Sequence, residues 1–125
     1  MLKMFSFLPP LLWAALIWRL TTVPNLVVAP ETWLNTLIMS GSHFFFFGVL
    51  AVLFGSAITT NHHKSTMYYS VLMTSLYGLL IELVQRGIPG RSMDPVDWLL
   101  DTLGALVFLG IFHKFSNHKY ANSQM

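Results

Sequence analysis

The residues that could do chemistry are concentrated between Glu82 and Gly104. That stretch carries Glu82, Asp94, Asp97 and Asp101, four of the five acids in the chain, with Arg86 and Arg91, two of its seven basic residues. Carboxylates in such a setting move protons, bind a cation or an amine, or hold a substrate by hydrogen bonds. Arg91, on the tight loop Pro89-Gly90-Arg91-Ser92, offers a planar fork of donors to an anion such as a phosphate. His43 lies at the start of a separate apolar stretch, where a neutral imidazole is cheap to place. No spacing signature such as H-E-x-x-H is present. The absence of cysteine removes thiolate nucleophiles and cysteine metal sites.

Each of these residues also has a structural reading. Asp94 as a cap, Pro95 at the first helical position and Asp97 three residues after the cap make a good helix start. Asp101 lies seven residues beyond that cap, about 10 Å along a helix, where no free backbone amide remains to bind it. Glu82 is within i,i+4 reach of Arg86, and Arg91 is near enough in sequence to pair with Asp94 or Asp97. The helical phase of His43 sets it over Phe47, Leu50 and Phe54, so sequence alone does not turn it toward the acids. The candidate ligand-binding set is therefore His43, Glu82, Gln85, Arg91, Asp97 and Asp101. No catalytic residue, metal ligand or cofactor is assigned. The adjacent His62 and His63, on a short polar loop without a third ligand, are read as solvated.

The elements that position these residues follow from composition. The chain has 125 residues, 54% hydrophobic and 10% charged, far from the roughly one quarter charged that soluble domains carry. This is the composition of an integral membrane protein, with room for four spans and short connections. Apolar runs place the spans at about residues 4–20, 42–60, 66–85 and 95–112 of a single domain, 1–125. The first run resembles a signal peptide, but its bulky end, Leu16-Ile17-Trp18-Arg19, argues for an uncleaved span, with Pro9 and Pro10 at its start or kinking it. Pro30 and Glu31 open a segment to Met39 whose Trp33, Leu34, Leu37 and Ile38 share a face, as in a short interfacial helix or a tryptophan-anchored loop. The expected fold class is all-α, a four-helix membrane bundle with that interfacial helix between the first and second spans.

Small residues mark the inner faces. Gly48, Ala51 and Gly55 share one side of the second span, which lets a neighbouring helix approach closely. Ser75, Gly78, Glu82, Gln85 and Arg86 form a stripe on the third span, and Asp94, Asp97, Asp101, Gly104, Ala105 and Phe108 form one on the fourth. These polar stripes belong inside the bundle. Lys3, Lys64, Lys114 and Lys119 fall on the side of the termini, against Arg19, Arg86 and Arg91 on the other. That excess puts the termini in the cytoplasm and the Glu82–Gly104 stretch outside. The net charge of +2 is accounted for by topology and points to no nucleic-acid partner.

The run Glu82-Leu83-Val84-Gln85, followed by Pro89-Gly90-Arg91-Ser92, Asp94, Asp97 and Gly104-Ala105, resembles the E-x-x-Q, P-G-R, D-x-x-D and terminal G-A pattern of the VanZ-like family of bacterial membrane proteins. His43-Phe44 and Thr21-Thr22-Val23-Pro24, in place of Ser-Ser-x-Pro, match it more weakly. The chain departs where the family has an Asp-Lys pair before the histidine (here Met39-Ser40), a tyrosine (Phe47) and an asparagine (Asp101). The family's named member is associated with resistance to the glycopeptide teicoplanin, so the resemblance implies a bacterial plasma-membrane protein with an envelope-related role. The leading expectation is an outward-facing polar pocket that binds an amphipathic envelope molecule, a lipid-linked cell-wall intermediate or lipoglycopeptide, with membrane lipids as partners and homo-oligomerisation left open. The alternatives are an intramembrane enzyme using Glu82, Asp101 and His43, and a structural or assembly subunit.

Overall fold

The computed structural model describes residues 2–58 and 62–125. The Thr60 end of the second expected span and Asn61 lie outside them, as does the side chain of His63. All regular elements among the described residues are helices: α1 Leu2–Phe5, α2 Leu8–Thr21, α3 Thr32–Ala57, α4 His63–Gln85 and α5 Pro95–Ser123. α3, α4 (from Lys64) and α5 are long and apolar enough to cross a membrane. With 14 residues, α2 is about 21 Å long, shorter than a hydrocarbon core of roughly 30 Å. Pro9 and Pro10 stand in its first turn, where a missing N–H removes no helical bond.

The segment expected to form a separate interfacial helix is the beginning of α3. The chain straightens at Glu31, just after Pro30, and then runs as one helix through Gly41 and Ser42 to Ala57. A mid-helix glycine costs only about 1 kcal/mol relative to alanine, and the Ser42 hydroxyl donates to the Ile38 carbonyl at 2.6 Å. Neither residue stops the helix. Likewise α5 continues through the polar tail to Ser123 rather than ending near Phe112.

α3 is the central helix, packing most extensively on α5 and then on α4 and α2. Phe47, Leu50, Phe54, Ile17 and Ile81 form one buried cluster, and Ala51, Ala105 and Leu109 a second. The outside is apolar: Leu76, Leu80 and Leu83 on α4 and Leu99, Leu103 and Leu106 on α5 are exposed. Ser70, Thr74, Glu82 and Asp101 are instead completely buried. Apolar outside with polar residues within is the arrangement a bilayer selects. Interhelical bonds satisfy the polar tips of large rings, with Trp13 donating to the Phe46 carbonyl, Tyr77 to Ala14 and Trp98 to Ser75.

Candidate functional site

The end of α2, the start of α3, the end of α4 and the start of α5 meet at one end of the bundle. Asp94 caps α5, its side chain accepting from the Val96 amide at 2.9 Å. One and two turns further on, Asp97 and Asp101 project toward α3. Two glycines allow this closeness. An added Cβ at Gly78 of α4 would strike the Asp101 carboxylate, and one at Gly104 of α5 would strike the Phe44 carbonyl. Gly78 therefore gives the buried carboxylate its space, and Gly104 lets the α3 backbone close on α5.

His43 does face the acids. Its Nδ1–H donates to Asp101 Oδ1 at 2.8 Å, and its Nε2 lies 3.8 Å from Asp97 Oδ2. The ring is stacked parallel to Phe47 at 5.9 Å, which fixes its plane. The expected phase over Phe47 and the contact with α5 are thus both present, because α5 lies against that face. Asp97 Oδ1 also accepts from the Ser40 hydroxyl at 3.2 Å. Ser40 was missed as a partner; its signal is its place three residues before His43, on the same side of α3.

Glu82 does not use Arg86. Its Oε2 accepts the Asp94 backbone amide at 2.8 Å, joining the end of α4 to the start of α5. Its Oε1 and Asp101 Oδ2 are buried without a hydrogen-bond partner among the described residues. Such groups each forfeit about 1–3 kcal/mol, more when ionised, so they mark the place where the fold sacrifices stability. One donor atom each from His43, Glu82 and Asp97 lie within 4.8 Å of one another.

Arg91 pairs with neither Asp94 nor Asp97. Its Nε donates to the Val23 carbonyl at 3.2 Å and its Nη2 to the Leu20 carbonyl at 3.0 Å. Gln85 Nε2 donates to Thr21 at 3.3 Å. Both side chains thus serve carbonyls at and beyond the C-terminus of α2, the end of a helix that attracts positive charge. The loop is held in place by the Asn25 amide donating to the Pro89 carbonyl at 3.0 Å and by Gly90, whose φ of 73° and close contact with Asn25 exclude a side chain. Partial burial draws the Arg91 pKa below its ordinary value while Asp97 pulls it up, and the group stays cationic.

Between α2, the residues that follow it and the first half of α3 lies a crevice of about 160 Å³. Its walls are Ile17, Leu20, Leu26, Val28, Met39, Phe46 and Phe47, and its polar groups come from Thr21, Ser42, His43 and Arg91. His43 belongs to both parts, lining the crevice on one side and bonded to the buried acids on the other. Of the six candidate residues, His43, Glu82, Asp97 and Asp101 converge, Arg91 joins His43 at the crevice, and Gln85 is buried behind the crevice wall, donating to the Thr21 carbonyl.

Residues 3–116 match the family model described as VanZ/LLP1. No curated protein and no solved structure matches the chain. The family match runs through every long apolar helix and every polar residue of the site, and the chain accordingly belongs to the VanZ/LLP1 family.

Proposed function

We propose that this membrane protein binds an amphipathic envelope molecule, a lipid-linked cell-wall intermediate or lipoglycopeptide, with the head-proximal end of its apolar part in the crevice, the rest of the chain in the bilayer, and its polar head between Arg91 and His43. The observation that carries this reading is the crevice itself, an apolar wall that ends in one guanidinium and one imidazole. Two of the five Arg91 N–H groups are engaged by backbone carbonyls, which holds the guanidinium still and leaves donors for an anion. Membership of a family whose named member is associated with glycopeptide resistance supports an envelope-related role. The excess of lysine and arginine on the terminal side supports an outward-facing site in a bacterial plasma membrane.

Affinity for a polyprenyl pyrophosphate, measured in detergent by thermophoresis, tests the binding. His43→Ala and Arg91→Lys each weaken it about tenfold or more, the equivalent of roughly 1.4 kcal/mol. Unchanged affinity in both, with the helical fold intact, contradicts it. Orientation is read from Ser92→Cys, which a membrane-impermeant maleimide labels in intact cells; protection of that cysteine would place the site on the cytoplasmic side.

The His43–Asp101 pair favours a second reading. An imidazole oriented by a buried carboxylate, with its other nitrogen beside Asp97, is the arrangement of a general base. That reading requires turnover of the bound lipid that disappears in His43→Ala; tight binding without turnover leaves the first reading standing.

A further inference from the structure

Three carboxylates, Glu82, Asp97 and Asp101, share one imidazole. His43 stands 2.8 Å from Asp101 and 3.8 Å from Asp97. Arg91 is turned to the Val23 and Leu20 carbonyls, and Glu82 receives only a backbone amide. Glu82 and Asp101 are nevertheless completely buried. If all were ionised, the His43 imidazolium and the Arg91 guanidinium, which acts on Asp97 without contacting it, would face three negative charges, and the two fully buried carboxylates would have only the imidazolium close by, an imbalance that burial makes costly.

The donor atoms are arranged to receive the missing charge. Asp101 occupies Nδ1 of His43, so the nitrogen left for a ligand is Nε2, the atom nearest Asp97. A ligating histidine typically gives its other ring N–H to a carboxylate in this way, which sets its tautomer and orientation. A ring nitrogen of His43 and one carboxylate oxygen each from Glu82 and Asp97 lie within 4.8 Å of one another. Tetrahedral ligands at about 2.0–2.2 Å from zinc stand roughly 3.3–3.6 Å apart, so side-chain rotations that close a gap of about an ångström complete the set. The second, independent observation is Glu82 Oε1, a carboxylate oxygen on a fully buried side chain with no hydrogen-bond partner among the described residues. Asp97, with 20% of its side chain exposed, is the point of entry.

We propose that His43, Glu82 and Asp97 bind one divalent metal ion, Zn²⁺ or Mn²⁺, with Asp101 as the carboxylate that orients the histidine. One imidazole and two carboxylates suit a borderline or hard cation and leave coordination positions for water or an anionic oxygen. This goes beyond the lipid-binding reading and is measured apart from it, so either can fail while the other stands.

The test uses the full chain purified in detergent on a metal-free affinity resin. After dialysis against EDTA and titration with Zn²⁺ or Mn²⁺, elemental analysis gives one ion per chain, and comparison of the two titrations identifies the preferred metal. His43→Ala abolishes the bound ion. Glu82→Gln and Asp97→Asn each weaken it at least tenfold, and Asp101→Asn weakens it by about 10–100-fold, as loss of an orienting carboxylate does. The double variant His62→Ala/His63→Ala retains it. Wild-type protein that takes up neither ion stoichiometrically overturns the proposal, as does an ion that survives His43→Ala but is lost from the His62/His63 variant. Because the stoichiometry is measured on wild type, misfolding of a variant leaves the proposal decidable; the visible spectrum of Co²⁺-loaded wild type, tetrahedral with nitrogen and oxygen donors, is the second readout.

Discussion

His43 is the residue on which the site turns, because two interactions hold it and its free edge faces the crevice. Ring stacking on Phe47 sets its plane, the bond to Asp101 sets its tautomer, and its outer edge lines the crevice. Removing either partner of the buried pair strands the other, which typically costs about 3–5 kcal/mol. A double-mutant cycle of His43→Ala and Asp101→Asn, followed by denaturation in mixed micelles, therefore gives a double variant less destabilised than the sum of the singles. Additive losses would mean that the two side chains do not interact. The acids' shared face on α5 was legible from their spacing at steps of three and four. Their partner was not, since the rotation of α3 against α5 is a tertiary matter on which the Phe47 stripe and the polar site make equal claims. Arg91 and Gln85 show a second kind of illegibility. Their partners are backbone carbonyls of Leu20, Val23 and Thr21, and a carbonyl carries no residue signature.

At the scale of elements, the site depends on how closely α3, α4 and α5 approach. Gly78 and Gly104 lie where a single added carbon meets the Asp101 carboxylate or the Phe44 backbone, whereas no other element among the described residues stands within 4 Å of the corresponding position at Gly41. Gly78→Leu is expected to destabilise the bundle by about 1–3 kcal/mol through overpacking. Gly41→Ala is expected to stabilise it by about 0.5–1 kcal/mol, because alanine is the better helix former. Thermal unfolding in detergent separates the two; equal effects would show that the α4–α5 contact does not depend on Gly78. The small-residue stripes were readable in the sequence for this reason. The continuity of α3 was not, because Gly41-Ser42 occurs equally well at a helix boundary and within a helix whose serine bonds the preceding turn.

For the whole molecule, the apolar exterior and polar interior were legible from composition, and the resemblance built on Glu82–Gln85, Pro89–Ser92 and Asp94–Ala105 agrees with the family match over residues 3–116. The short α2 is the feature that composition concealed. An apolar run of span length becomes α1, a turn and a 14-residue helix, since Pro9 and Pro10 favour a new helix start over a continuous one. Beside the end of that short helix lies the crevice, which opens between its last turn and α3. The most direct measurement is photocrosslinking of a diazirine-bearing polyprenyl pyrophosphate to the protein in bilayers, with adducts mapped by mass spectrometry. The expected adducts fall on Leu20, Val28 and Phe46 and are lost in His43→Ala, whereas label spread evenly over Leu99, Leu103 and Leu106 on the lipid face of α5 would contradict a binding site in the crevice.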